Sequence, residues 1–165
     1  MQKMIVVQPM ECAGCRTCEM ACSLVHFGVC SPALSSIRVV EWQDKGLSVP
    51  LTCLQCEKAV CMEVCQVKAI YRDENTGAMI VDEQLCIGCK MCILACPFGG
   101  PKVNRQTGKA IKCDLCGGEP QCVSVCPTKA IKYMDVNDFV MDKKKSSAAG
   151  LIKDEIKLMA YVASN

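Results

Sequence analysis

The sequence predicts an α+β fold with little regular structure, duplicated internally and stabilised by staples more than by a large apolar core. Three observations predict it. Cysteine supplies 17 of the 165 residues, and every one except Cys30 falls into a tight group of four. Those groups repeat as pairs along the chain. Bulky side chains are scarce, with three Phe, three Tyr and one Trp, so the 51% hydrophobic content, which counts every cysteine, overstates the conventional core. A chain so poor in large side chains needs cross-links or metal to hold it.

The groups are Cys12, Cys15, Cys18, Cys22; then Cys53, Cys56, Cys61, Cys65; then Cys86, Cys89, Cys92, Cys96; and last Cys113, Cys116, Cys122, Cys126. Groups one and three share Cys-x-Gly-Cys-Arg/Lys-x-Cys-x-x-Ala-Cys, with Gly14 and Gly88, Arg16 and Lys90, and Ala21 and Ala95 in matching places. Each follows a Met-Ile-Val string, at Met4 and Met79. Groups two and four lengthen the gap before the third cysteine and are both followed by Lys-Ala-Ile, at Lys68 and Lys129. The chain therefore reads as a duplicated unit of two motifs.

Short strands are expected at Ile5–Val7 and Met79–Val81. Hairpins are expected from Tyr71 to Val81 over Asp73–Gly77, and from Ile37 to Leu51 over Gln43–Gly46. Short helices are expected to begin at the last cysteine of each group. After about Met134 the pattern changes: Ser146 and Ser147 read as N-caps of a short helix whose Ile152, Ile156 and Met159 form a stripe against its own domain or a partner.

The spacing points to iron–sulfur chemistry. Cys-x₂-Cys-x₂-Cys wraps a cubane cluster with three thiolates in a tight loop, and a fourth cysteine followed by proline reaches a neighbouring cluster. Group three, from Cys86 to Pro97, carries that full pattern. A disulfide scaffold fits poorly, because cysteines three apart are too close to bridge one another and the N-terminus shows no secretory signal. Zinc ribbons use two Cys-x₂-Cys pairs and seldom a triplet. A haem-binding Cys-x-x-Cys-His is absent, as is the Cys-x₃-Cys-x₂-Cys of radical SAM enzymes. The formal charge of +2 favours neither nucleic acid nor a membrane surface, and no apolar run is long enough to span a bilayer. Four [4Fe–4S] clusters with their thiolates would take the charge to roughly −6.

The span from Met4 to about Met134 resembles the four-cluster ferredoxin-like subunits of multisubunit redox enzymes. One branch is the iron–sulfur beta subunits of DMSO reductase-type molybdopterin enzymes. Glu11-Cys12-Ala13-Gly14-Cys15-Arg16-Thr17-Cys18, with Val25-His26-Phe27 and the compact length, resembles more the small partners of tungsten aldehyde oxidoreductases and class II benzoyl-CoA reductases. The resemblance implies two ferredoxin-like modules, a duplicated 2[4Fe–4S] fold over residues 1–135. Groups one and four make the outer module and groups two and three the inner one (residues 50–100), with 136–165 as a docking tail. It implies four ligand sets: Cys12, Cys15, Cys18 and Cys126; Cys113, Cys116, Cys122 and Cys22; Cys53, Cys56, Cys61 and Cys96; and Cys86, Cys89, Cys92 and Cys65. Spacing alone supports the inner pairing; the outer one rests on the resemblance.

The implied role is a non-catalytic electron-transfer subunit in a cytoplasmic hetero-oligomer. Its partners would be a tungstopterin or molybdopterin catalytic subunit and a flavin subunit or ferredoxin. A free polyferredoxin carrier is the alternative. Of the remaining residues, Cys30 reads as a small buried hydrophobe, His26 as a structural histidine and Trp42 as strand packing. Arg16 and Lys90 read as solvated cations, and Pro97 and Pro127 as helix stops.

Overall fold

The structure, a computed structural model, describes residues 3–163, with side chains described as far as Gly150. Its strands pair in twos. Strand β1 (Lys3–Val7) lies antiparallel to β8 (Ile131–Asp135), with Ile5 opposite Tyr133 and Val7 opposite Ile131. Strands β2 (Arg38–Trp42) and β3 (Leu47–Leu51) form a hairpin, as do β4 (Ile70–Arg72) with β5 (Met79–Val81) and β6 (Lys102–Val103) with β7 (Ala110–Ile111). The helices between them are short: α1 (Thr17–Phe27), α2 (Val60–Glu63), α3 (Met91–Ala95) and α4 (Gln121–Ser124). This is a small mixed α/β fold.

The last hairpin has no counterpart among the strands expected from sequence. Its signal was nevertheless present: Thr107-Gly108 repeats Thr76-Gly77. The two turns close alike, with the Asp73 N–H donating to Ala78 O and the Asn104 N–H to Lys109 O, both at 2.8 Å.

Each short helix begins one residue before the third cysteine of its group, not at the fourth as expected. Cys65, Cys96 and Cys126 lie just beyond their helices, whereas Cys22 lies within α1. The exception has a cause in sequence. Ser23 stands where groups three and four carry proline, and α1 runs on to Phe27, where Gly28 at φ +70° donates its N–H to Leu24 O.

The residue before the second cysteine of every group is left-handed: Gly14 (φ +68°), Gln55 (+52°), Gly88 (+70°) and Leu115 (+59°). Groups two and four place a non-glycine there at a cost of about 1–2 kcal/mol each, and both side chains are locked by burial, Gln55 at 2% exposure and Leu115 at 1%. At Gly88 space decides as well as torsion, since an added Cβ would lie 2.7 Å from the Gly108 carbonyl oxygen. Gly88→Ala is therefore expected to cost about 1–3 kcal/mol, read as a lower melting temperature. Gly28→Ala, which meets nothing within 4 Å, should cost less.

The buried side chains form two clusters. Ile5, Ile37, Val39, Leu115 and Ile131 surround Cys18, Cys22 and Cys122; Ala59, Ile70, Met79 and Ala110 surround Cys61 and Cys92. Helix α1 packs on α4, and α2 on α3.

The tail differs from its expectation. One helix, α5, runs from Val136 to Ala163, so Ser146 and Ser147 are interior residues and not caps. Asp135 receives the Asn137 N–H at its start, and the helix touches β8 and β1. From Val140 to Gly150 it is exposed throughout. The Ile152, Ile156 and Met159 side chains lie outside the described residues.

Candidate metal centres

Four small cavities are each lined by four of the grouped thiols. Cys12, Cys15 and Cys18 share one with Cys126, walled by Val39, Pro50 and Ala130. Cys113, Cys116 and Cys122 share the next with Cys22, against Ile5, Ile37 and Leu115. A third brings Cys53, Cys56 and Cys61 to Cys96, against Met79 and Phe98. The fourth joins Cys86, Cys89 and Cys92 to Cys65, against Ile70, Val81 and Ala110. In each, one loop gives three sulfurs and the other loop of the pair gives the fourth. The helix contacts α1–α4 and α2–α3 hold those loops face to face.

The donor set is soft sulfur in apolar walls, which suits iron–sulfur clusters or zinc. The order of the cysteines separates the two. Each cavity takes three sulfurs from one Cys-x₂-Cys loop and the fourth from the loop it faces, as two-cluster iron–sulfur proteins do, whereas zinc ribbons use two Cys-x₂-Cys pairs. Among the described residues, His26, Asp114 and Cys116 bring their donor atoms within 4.8 Å of one another.

The sulfurs of the fourth cysteines accept backbone hydrogen bonds. The Ala69 N–H donates to Cys65 Sγ (3.2 Å) and the Gly100 N–H to Cys96 Sγ (3.3 Å), each four residues on. Cys22, whose chain continues as helix, is served instead by the Ser36 N–H at 3.3 Å. Such N–H···S bonds stabilise charge on sulfur and tune cluster potentials. Burial pushes the Cys18 and Cys113 thiols up to about 11, and raises Cys61, Cys92, Cys116 and Cys122 as well. At Cys126 burial also acts upward, but hydrogen bonds from Ile131, Thr128 and Ala130 outweigh it and lower that thiol. Buried thiols of the first kind become thiolates by coordination, since a bound cation deprotonates them outright.

Outside the four quartets, Cys30 is exposed, which corrects its reading as a buried hydrophobe: α1 ends at Phe27 with Gly28 as its cap, and Cys30 follows in the loop beyond. Arg16 is paired, its Nε 3.1 Å from Glu41 Oε1, so it is not simply solvated. Lys90 is exposed and left-handed just before α3. His26 Nε2 lies 3.4 Å from Asp114 Oδ1 and 3.5 Å from Cys116 Sγ, at the rim of the second cavity. Trp42 ends β2 at 41% exposure.

Two residues that the sequence did not single out also hold the site. Glu19 is fully buried inside group one; its Oε1 accepts the Val39 N–H at 2.7 Å and its Oε2 faces the Arg38 guanidinium at 3.3 Å, which ties α1 to β2. Arg72 donates to Gly77 O and to the Cys56 and Glu57 carbonyls, pinning the second cysteine loop to its hairpin. A carboxylate between two grouped cysteines was the available signal for Glu19. Nothing local distinguishes Arg72. A larger groove of about 750 Å³, lined by Arg38, Phe98, Lys102 and Arg105, holds none of the thiols.

Residues 45–136 match the family described as 4Fe-4S dicluster domain, and residues 9–25 match a 4Fe-4S binding domain. The chain belongs to the 4Fe-4S dicluster family. This dicluster protein is 46% identical to the polyferredoxin-like subunit of aliphatic sulfonate oxidoreductase from Pyrococcus furiosus, over 74% of its own length and 70% of that protein's. It is 42% identical to the thiosulfate reductase electron transfer subunit PhsB of Salmonella typhi (74% and 70% covered). With the B subunit of anaerobic dimethyl sulfoxide reductase from Shigella flexneri it shares 35% (78% and 71%). The active site complex BamBC of benzoyl coenzyme A reductase aligns at 26% identity, covering 80% of the dicluster protein and 75% of its counterpart, with a TM-score of 0.47. The family binds 4Fe–4S clusters and transfers electrons, and the three named relatives are a polyferredoxin-like subunit, an electron transfer subunit and a B chain of oxidoreductases. Among the described residues of the dicluster protein, no helix is long and apolar enough to cross a membrane.

Proposed function

We propose that this chain relays single electrons through four [4Fe–4S] clusters, between a catalytic subunit carrying tungstopterin or molybdopterin and a second redox partner such as a flavin subunit or a ferredoxin. One observation carries the reading: four cavities, each lined by three sulfurs from one cysteine loop and a fourth from the loop it faces. The ligand sets are Cys12, Cys15, Cys18 and Cys126; Cys113, Cys116, Cys122 and Cys22; Cys53, Cys56, Cys61 and Cys96; and Cys86, Cys89, Cys92 and Cys65. Bound there, a [4Fe–4S] cluster supplies a site that gains or loses one electron. The protein's part is to hold four sulfurs, exclude water with apolar walls and aim backbone N–H groups at sulfur.

Two modules account for the symmetry. The outer pairs β1 with β8 and α1 with α4; the inner pairs β4 with β5 and α2 with α3. The Gln8 N–H donates to Ala130 O as the Asp82 N–H does to Ala69 O, both at 2.7 Å. Duplication of one two-cluster unit explains that correspondence. The exposed stretch 140–150 of helix α5 suits docking to a partner better than free diffusion, and thiolate-rich chemistry suits a reducing cytoplasm.

Anaerobically prepared protein is expected to hold about sixteen irons and to show four reducible clusters by electron paramagnetic resonance. Far fewer irons, or a colourless zinc protein, would end the proposal. Purification of the native complex, with tungsten and molybdenum analysis, identifies the partner. Removing residues 140–165 should release the chain from that complex; a free carrier would be unaffected.

A further inference from the structure

Lys112 is a buried cation outside the thiol quartets. It lies one residue before Cys113 at 7% exposure. Its ammonium donates to the Met79 carbonyl oxygen and lies 3.5 Å from Gln55 Oε1 and 3.4 Å from the Cys113 carbonyl oxygen. All three acceptors are neutral. Gln55 ties them together, taking the Met79 N–H at 2.8 Å and donating to Cys113 O at 2.9 Å. Three segments far apart in sequence thus meet at one ammonium: the second cysteine loop, β5 and the start of the fourth group.

Among the described residues the ion pairs join Arg16 to Glu41, His26 to Asp114 and Arg38 to Glu19, and no carboxylate reaches Lys112. A buried charge without an anionic partner is strongly unfavourable. The anions that its position offers are the thiolate centres on either side. Met79 lines the cavity of Cys53, Cys56, Cys61 and Cys96; Cys113 lines that of Cys22, Cys116 and Cys122.

We propose that Lys112 is the shared counter-charge of these two cavities, and that it holds the reduction potentials of both clusters above those of the other two. The proposal rests on the reading that the cavities hold clusters. One-electron reduction adds negative charge at a site, and a fixed positive charge in a low-dielectric wall favours the more negative state. The basic residues that line the other two cavities are placed differently. They are Arg16, which is paired and 44% exposed in its side chain, and the exposed Lys90, where water and salt screen the charge. Electrons entering the chain would accordingly rest at the junction between the modules.

The test is a redox titration of the iron-loaded protein, followed by electron paramagnetic resonance, for wild type, Lys112→Met and Lys112→Arg. Lys112→Met should keep its iron, shift two of the four midpoint potentials to more negative values and leave two in place. Lys112→Arg should leave all four near their wild-type values. An iron-replete Lys112→Met with four unchanged midpoints overturns the counter-charge while leaving the cluster reading intact; wild type without four clusters overturns both. If Lys112→Met fails to load iron, Lys112→Gln, which retains a donor without charge, is titrated in its place under the same criteria. If neither neutral variant loads iron while Lys112→Arg does, the charge is required for assembly, which supports the proposal. Failure of all three marks a packing constraint and overturns it.

Discussion

Stripping the iron with a chelator and a mild oxidant, then reducing the thiols, should abolish the cooperative unfolding transition of this protein. The remaining architecture has too little to stand on. Its sheets are two-stranded, and an isolated hairpin is marginal in water. Helices α2, α3 and α4 span four or five residues, far below the length at which a helix persists alone. Both apolar clusters are built around cysteines: Cys18, Cys22 and Cys122 in one, Cys61 and Cys92 in the other. Removing the metal therefore takes away the group around which the aliphatic side chains are arranged. Structural metal sites contribute on the order of 10 kcal/mol to folding, comparable with the whole stability of a small domain. Far-UV circular dichroism and calorimetry of anaerobic apoprotein read the outcome. A metal-free chain that still melts in one sharp step would show that the aliphatic contacts suffice.

With the proposed four clusters, replacing Cys61 by Ser should remove about a quarter of the iron, from about sixteen to about twelve atoms per chain, and reduce electron flow from one end of the proposed relay to the other to background. Cys61 is 9% exposed and belongs to the inner apolar cluster. A hydroxyl in its place is a harder, less polarisable donor than thiolate and suits an iron–sulfur core poorly. Cys30→Ser is the matched control: that side chain is exposed, and the variant should match wild type in iron and in rate. Full acceptor-linked turnover by an iron-depleted Cys61→Ser protein would contradict a serial path.

Sequence spacing makes much of this arrangement legible because the chemistry is local. A Cys-x₂-Cys loop closes over a few residues, and Gly14 and Gly88 advertise the left-handed turn each loop needs. The same turn at Gln55 and Leu115 was hidden, since those residue types do not announce it and only burial holds them there. Hairpins with Gly77 or Gly46 at their turns were readable, whereas β6 and β7, two residues each, are too short to show alternation. Ser146 and Ser147 look like caps and so draw the expected start of α5 too far along the chain. Continuity from Val136 instead uses Asp135, whose carboxylate takes the Asn137 N–H at 2.9 Å. Lys112 was invisible for a different reason. It sits in a string of ordinary composition, Ala110-Ile111-Lys112-Cys113, and its partners come from 33 and 57 positions away in the chain.

The exchange of fourth cysteines between loops bears on how the protein is built in the cell. With the proposed ligand sets, delivering iron and sulfide to one loop fixes a residue of the opposite loop, and that loop then presents its own three thiols already ordered. The second insertion in each pair becomes easier than the first. Under iron limitation such a chain should accumulate as empty and doubly filled pairs, with singly filled ones scarce, so partial scarcity yields fewer working molecules in place of many defective ones.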